Sequence, residues 1–167
     1  LQEGDELDRT TPTTGTDQII IATALGKAIR FSEDEVRAMG RDTQGVIGIK
    51  LGKGDTVAGM GTVSNETGDV LVITERGYGK RTPVSEYPMH HRAGQGVFTL
   101  KVTDRVGKLA ATRVVIDPEE EVLLISASGM VLRTPVSAIS QIGRQTQGVI
   151  VMRVPPDDQV VAIAPVG

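Results

Sequence analysis

Short apolar runs alternate along the chain with small, polar segments marked by glycine, and the alternation comes round three times. The runs Ile19-Ile20-Ile21, Val70-Leu71-Val72-Ile73 and Val122-Leu123-Leu124-Ile125 are continuous and rich in β-branched residues, as expected of strands buried on both faces. Each leads to a glycine, Gly26, Gly77 or Gly129, placed for a tight turn into a second short strand. A loop ending in Gln-Gly then opens a run of period two. Ile47, Ile49 and Leu51 fall on one face, matched by Phe98, Leu100 and Val102 and again by Ile150, Met152 and Val154, which predicts a third strand with one buried side. A last apolar run closes each unit, at residues 55–63, 108–115 and 158–166.

One local signal disagrees. Ser32-Glu33-Asp34-Glu35 fits a helix capping box and by itself predicts a helix from Ser32 to Met39. The aligned segments begin at Pro83 and Pro135, and Pro88 interrupts the second. A helix common to all three is therefore excluded, and a loop with at most one turn is expected.

Residues 19–51, 70–102 and 122–154 align without a gap, at offsets of 51 and 52 residues read from Gly26, Gly77 and Gly129. Four strands in about fifty residues, repeated, predict an all-β, propeller-like array of four-stranded antiparallel blades. The expected organisation is one domain over 1–167, with repeats at about 18–68, 69–120 and 121–167. The opening Leu1–Leu7 resembles Leu51–Val57. Residues 1–17 are thus expected to be the tail of an earlier blade, and the chain a piece of a longer array. No Trp-Asp dipeptide or kelch-type aromatic pattern occurs, which speaks against the commonest propellers.

Composition narrows the function classes. The chain has 167 residues, no cysteine and a formal charge of −3 from 18 basic and 21 acidic residues. Disulfides and cysteine-based zinc sites are excluded. No apolar run reaches membrane-spanning length and no signal segment opens the chain, so a cytoplasmic protein without a membrane partner is expected. Two phenylalanines, two tyrosines and no tryptophan disfavour the base-stacking mode of single-strand binders.

Overlaying the repeats sorts the charges. Arg30, Arg81 and Arg133 share one column, Arg41, Arg92 and Arg144 a second, and Lys50, Lys101 and Arg153 a third. No acidic trio accompanies them: Glu33, Asp34 and Glu35 have no counterparts, and Glu119-Glu120-Glu121 lies in a variable connection. A single arginine ordinarily pairs with a nearby carboxylate or a loop carbonyl. Columns that are basic in every repeat instead predict recurring stripes suited to phosphate despite the negative total. The loops agree: Arg41, Arg92 and Arg144 offer planar forks. Gly45, Gly96 and Gly148 allow close backbone approach, and Gln44, Gln95 and Gln147 are neutral donors for a phosphate or a neighbouring blade.

Catalytic signals are poor. His90-His91 occurs in one repeat only, and adjacent strand residues point to opposite faces. Gly52-Lys53-Gly54-Asp55 lacks the spacing of a P-loop. Gly59-Met60-Gly61 is followed by Ser64 where a dinucleotide fingerprint needs its third glycine. No catalytic residue, metal site or cofactor is assigned.

Residues 75–97, 26–51 and 132–154, above all Gly77-Tyr78-Gly79-Lys80-Arg81-Thr82-Pro83-Val84-Ser85-Glu86-Tyr87, closely resemble the C-terminal domain of the DNA gyrase A subunit, with the corresponding topoisomerase IV domain as near neighbour. The resemblance covers essentially the whole chain. It implies a β-pinwheel that wraps double-stranded DNA on a basic rim so that an ATP-driven holoenzyme introduces negative supercoils. It also implies, as partners beyond DNA, the catalytic core of the same subunit, together with the ATPase subunit. ATP and magnesium are expected in the rest of the enzyme only, and the setting is the bacterial cytoplasm, associated with the nucleoid. The DNA-contacting candidates are Arg30, Arg41, Lys50, Lys80, Arg81, Arg92, Lys101, Arg133, Arg144 and Arg153. The family's Gln-Arg-Arg-Gly-Gly-Arg-Gly box is absent, and the loops ending at Gly45, Gly96 and Gly148 hold the same kind of position in degenerate form. The topoisomerase IV domain and a protein-interaction propeller are the competing readings.

Overall fold

Runs of β-branched residues joined by glycine turns close into antiparallel hairpins, and a computed structural model of the chain, which describes residues 18–32, 54–63, 67–88 and 96–166, contains three of them. The strands are β1 (Gln18–Thr23), β2 (Lys27–Ser32), β3 (Val57–Val63), β4 (Asp69–Thr74), β5 (Tyr78–Pro83), β6 (Val97–Phe98), β7 (Leu109–Val115), β8 (Glu121–Ser126), β9 (Val131–Pro135), β10 (Val149–Ile150) and β11 (Val160–Pro165). Among the described residues the segments after β5 and β9 are single 3-10 turns, Val84–Glu86 and Val136–Ala138. Residues 33–39 of the competing helix signal lie outside the described residues.

The sheets run β3-β1-β2-β6, β10-β5-β4-β7 and β11-β8-β9. All their strand pairs are antiparallel. Repeats and blades therefore do not coincide. The fourth strand of the first sheet, β6, comes from the second repeat, and the fourth strand of the second sheet, β10, comes from the third. The expectation that each repeat builds its own four-stranded blade is corrected to an exchange of strands between neighbours.

The donated strands are shorter than the period-two pattern predicts. After β6, the amides of Thr99 and Leu100 both point at the carbonyl of Gly26, at 2.8 and 3.3 Å. After β10, those of Val151 and Met152 share the carbonyl of Gly77, at 2.8 and 3.1 Å. Two successive donors on one acceptor end the ladder and turn the chain. Phe98 and Ile150 therefore stay 49% and 43% exposed while Leu100 and Met152 are 0% and 4% exposed. Phe98 and Leu100 do not share a buried face; the bend separates them. At Gly77, with φ of 89°, a Cβ would collide with the Met152 carbonyl, so glycine is required twice over, by conformation and by space.

The cores lie between blades. Val70 and Val72 of β4 pack with Ile20 and Ala22 of β1, Leu100 and Leu109. Leu71 and Ile73, on the opposite face of β4, pack with Val122 and Leu124 of β8, Met152 and Val160. A central blade is thus apolar on both faces, which is why β4 reads as an unbroken run.

Asp158, nearly buried, fixes the last hairpin. Its carboxylate accepts hydrogen bonds from the Ser128 amide at 3.0 Å, the Ser128 hydroxyl at 2.6 Å and the Gln159 amide at 2.8 Å. Asp55 does the corresponding work in the first repeat, accepting from Leu25 and Thr56 at 2.9 and 2.8 Å. The serine hydroxyls and amides around Asp158 hold its pKa down to about 2, against an ordinary 3.8. A folded value below the unfolded one means that this contribution is full above about pH 4 and is lost as the pH falls towards 2. Chemical denaturation of wild type and Asp158→Asn across pH 2–6 is expected to show a destabilised variant at pH 6 and a gap that narrows on acidification; a constant gap would mean the carboxylate charge is not what holds the turn.

Candidate nucleic-acid interface

The three columns of cations separate once folded. The Arg30, Arg81 and Arg133 column is a set of structural ties. Each arginine reaches the residue twelve positions earlier on the adjacent strand. Arg30 Nε donates to Gln18 at 2.6 Å, Arg81 Nη1 pairs with Asp69 at 2.8 Å, and Arg133 Nε donates to Glu121 at 2.7 Å. The first two also cross to the next blade. Arg30 Nη1 donates to the carbonyls of Val84 and Tyr87 at 3.3 and 2.8 Å, and Arg81 Nε to that of Ile139 at 2.7 Å. Tyr87 and Ile139 are equivalent positions, each closing a 3-10 turn. Exposure rises along the column: Arg30 is 3% exposed, and the Arg81 and Arg133 side chains are 15% and 62% exposed. Arg30 and Arg81 are therefore corrected from rim cations to inter-blade ties, because their forks are spent on buried carbonyls and a partner strand. The matching column Gln18, Asp69 and Glu121 was missed in the sequence because its first member is an amide rather than an acid.

Lys80 is likewise removed from the rim. It is fully buried, and its ammonium lies 2.7 Å from the Gly143 carbonyl, 2.6 and 3.1 Å from those of Arg144 and Thr146, and 2.9 Å from the Thr146 hydroxyl. Burial pulls its pKa down to about 8; the Glu86 carboxylate opposes the shift and the Arg144 charge adds to it.

Of the other two columns, the described members Arg144, Lys101 and Arg153 are half-exposed or exposed. The loop Gly143–Gly148 rides on β5. Gly148, with φ of 84°, passes so close that a Cβ would stand 2.7 Å from the Gly79 carbonyl. Gly96 makes the equivalent approach to Ala28. The Thr146 carbonyl accepts the Lys101 amide at 2.9 Å, and Arg144 Nη1 donates to the Phe98 carbonyl at 2.9 Å. Lys27 Nζ sits 4.6 Å from the centre of the Phe98 ring, within cation–π range. Three cations from three repeats, Lys27, Lys101 and Arg144, thus gather around Phe98, beside a cleft of about 330 Å³ lined by Leu25, Phe98, Leu100, Lys101, Val102 and Gln145. Lys101 and Arg153 are exposed, and among the described residues their side chains make no hydrogen bond or ion pair. Gln147 accepts from Thr103 at 3.3 Å, a contact between repeats.

Two cations outside the three columns share one connection, between β6 and β7. Arg105 lies over Tyr78, its Nε 3.1 Å from the phenol oxygen, and Lys108 is exposed. They fall in the connection 103–108, one residue longer than its counterparts at 52–56 and 155–159, where the residues of the three repeats differ and no column of like charge forms. Arg41, Gln44, Gly45, Lys50, Arg92 and Gln95, with His90 and His91, lie outside the described residues. Among the described residues no group of three metal-ligating side chains occurs, and no helix is long and apolar enough to cross a membrane.

A family model described as the DNA gyrase C-terminal domain, beta-propeller, matches residues 17–64, 68–116 and 120–167. The chain belongs to that family. It is 44% identical to the DNA gyrase A subunit of Salmonella typhimurium (strain LT2) and 45% identical to that of Escherichia coli (strain K12), each over 163 residues. Both alignments take in 98% of this chain and 18% of the relative, so the chain spans under a fifth of the curated relatives it matches. Its fold is similar to the C-terminal domain of DNA topoisomerase IV, with a TM-score of 0.77 at 19% identity over 90% of this chain and 47% of that one. It is also similar to the DNA gyrase A C-terminal domain, with a TM-score of 0.58 at 20% identity over 93% and 68%. Within that family, this chain exchanges strands between neighbouring blades.

If the arginine column ties blades together, Arg30→Met removes donors from two buried carbonyls and is expected to cost about 2–4 kcal/mol in equilibrium unfolding. Arg153→Met, at an exposed position, should stay within about 0.5 kcal/mol. Equal effects of the two would overturn the distinction.

Proposed function

We propose that this chain is the DNA-wrapping part of a DNA gyrase A subunit, in which double-stranded DNA is bent along the edge carrying the Arg41/Arg92/Arg144 and Lys50/Lys101/Arg153 columns. The observation that carries the reading is the division of the cations. One column is consumed by internal ties, whereas Lys101 and Arg153 stand exposed without a partner among the described residues, and Arg144 and Lys27 converge on the same junction as Lys101. A guanidinium or ammonium with donors to spare binds phosphate oxygens irrespective of base sequence. Bending 20–30 base pairs costs on the order of 1–6 kcal/mol, so contacts from successive blades have to act together on one duplex.

Identity of 44–45% to gyrase A subunits supports gyrase over topoisomerase IV, whose likeness rests on fold at 19% identity. On this reading the chain is non-catalytic by itself and holds no cofactor. The DNA-cleaving core of the same subunit, the ATPase subunit, ATP and magnesium belong to the rest of the holoenzyme, which works on the chromosome in the bacterial cytoplasm. The wrap hands a duplex segment to that core, and so sets the sign of supercoiling.

In the full-length subunit, replacing Lys101, Arg144 and Arg153 together by glutamine is expected to weaken duplex binding roughly 10- to 100-fold for all sequences alike. It should also flatten the dependence of log affinity on log salt by about two to three, roughly one for every phosphate left without its cation. Electrophoretic mobility or fluorescence titration over a salt series reads both. Unchanged affinity with an unchanged salt slope would sink the assignment.

A further inference from the structure

Lys80 is the only cation among the described residues whose ammonium is enclosed by four protein oxygens. Those oxygens all belong to one loop, on Gly143, Arg144 and Thr146. Its place in the repeat is taken by Ile29 in the first repeat and Leu132 in the third. The fold itself therefore accepts an apolar side chain there, and a buried lysine needs another reason, since desolvating an ammonium is costly.

The geometry points to Lys80 as a positioning residue for the DNA-facing loop Gly143–Gly148, an inference that rests on the DNA-wrapping reading above. The loop's own backbone supplies the motive. The carbonyls of Gly143, Arg144 and Thr146 converge inward, and three oxygens brought together repel one another unless a donor-rich cation fills the centre. An ammonium brings three N–H donors and a full charge. The Thr146 hydroxyl completes the arrangement by donating to the Gly143 carbonyl at 2.8 Å. With the loop carbonyls held on Lys80, the Arg144 backbone is fixed, its Nη1 meets the Phe98 carbonyl at 2.9 Å and no other hydrogen bond to the guanidinium occurs among the described residues. The loop is further pinned by Thr82, whose hydroxyl donates to the Ile142 carbonyl at 2.7 Å, and by the Lys101 amide on Thr146. The charged groups facing the ammonium are Glu86, from the turn after β5, and Arg144 itself. Lys80 thus acts on DNA only through Arg144, at no contact distance from a phosphate.

The test uses the full-length subunit carrying Lys80→Met, which keeps length and removes charge. Hydrogen exchange without DNA is expected to quicken at the amides of Arg144 to Gly148. Duplex affinity should fall roughly five- to tenfold, with a salt slope shallower by about one. Adding Arg144→Gln should then change little further, whereas adding Arg153→Gln should lower affinity by its own full factor. Thr146→Val, which removes one of the four oxygens, should move both readouts the same way by a smaller factor and guards against a Lys80 variant that does not fold. Unchanged loop exchange in both variants overturns the role of Lys80. Faster exchange with affinity lowered equally on the Arg144→Gln background overturns the route through Arg144. Faster exchange together with an Arg144→Gln variant that binds duplex like wild type overturns the DNA-wrapping reading of the loop instead.

Discussion

The glycine carbonyl at the first two hairpin turns is the point on which the assembly depends. Gly26 and Gly77 each accept two successive amides from the repeat that follows. That one junction ends the donated strand, drives Leu100 or Met152 into the inter-blade core, and leaves Phe98 or Ile150 outside. The hairpin could not form with a bulky residue at Gly77, and the neighbour could not approach with any Cβ there at all. The fourth strand of a sheet and the packing of its core are consequently supplied between repeats, while the other strands pair within them. A single repeat has neither a complete sheet nor a two-sided core, and stability accrues from neighbour to neighbour as in other repeat architectures.

Charge follows the same logic. A chain with three more acidic than basic residues can present a cationic edge only if its anions are occupied or held elsewhere. Asp69 and Glu121 are neutralised by Arg81 and Arg133, and Asp158 is spent on a turn. Arg81, which neutralises Asp69, and Arg30, which meets the Gln18 amide, also reach carbonyls across the blade gap. Removing them from the rim leaves the cations of the loop and of the strand after it, which emerge at the junction where strands are exchanged. The surface chemistry and the exchange of strands are thus two readings of one geometry.

Much of this was legible in the residues. Continuous β-branched runs, glycine turns and the 51- and 52-residue offsets identify an all-β repeat array, because each is a local signal or a translation of one. The exchange of β6 and β10 was not legible. A strand leaves the same period-two trace whether it pairs at home or next door, and nothing local marks the partner. The bend after Phe98 escaped for a related reason, since it is caused by a carbonyl more than seventy residues away. Columns of like charge were visible, but a column says only that positions are equivalent. Arg30 and Lys101 belong to equally regular columns, yet one is buried on carbonyls and the other exposed. The tie was encoded in the polar residue twelve positions earlier, a signal that survives in the sequence once Gln18, Asp69 and Glu121 are compared by hydrogen-bonding capacity instead of charge.

Lys80 shows where equivalence between repeats stops. Ile29 and Leu132 occupy its position without disturbing the hairpin, so β5 does not require a lysine for its own sake. What the lysine adds is a set of contacts to the loop that lies over β5. Residues 143–146 turn their carbonyls inward over β5, a conformation in which an apolar side chain would take one donor from each of three carbonyls and leave that of Arg144 with none among the described residues. The lysine and the loop therefore specify one another across sixty residues of chain. A cation that never reaches the surface governs how another one does, and a search confined to exposed charge would discard it.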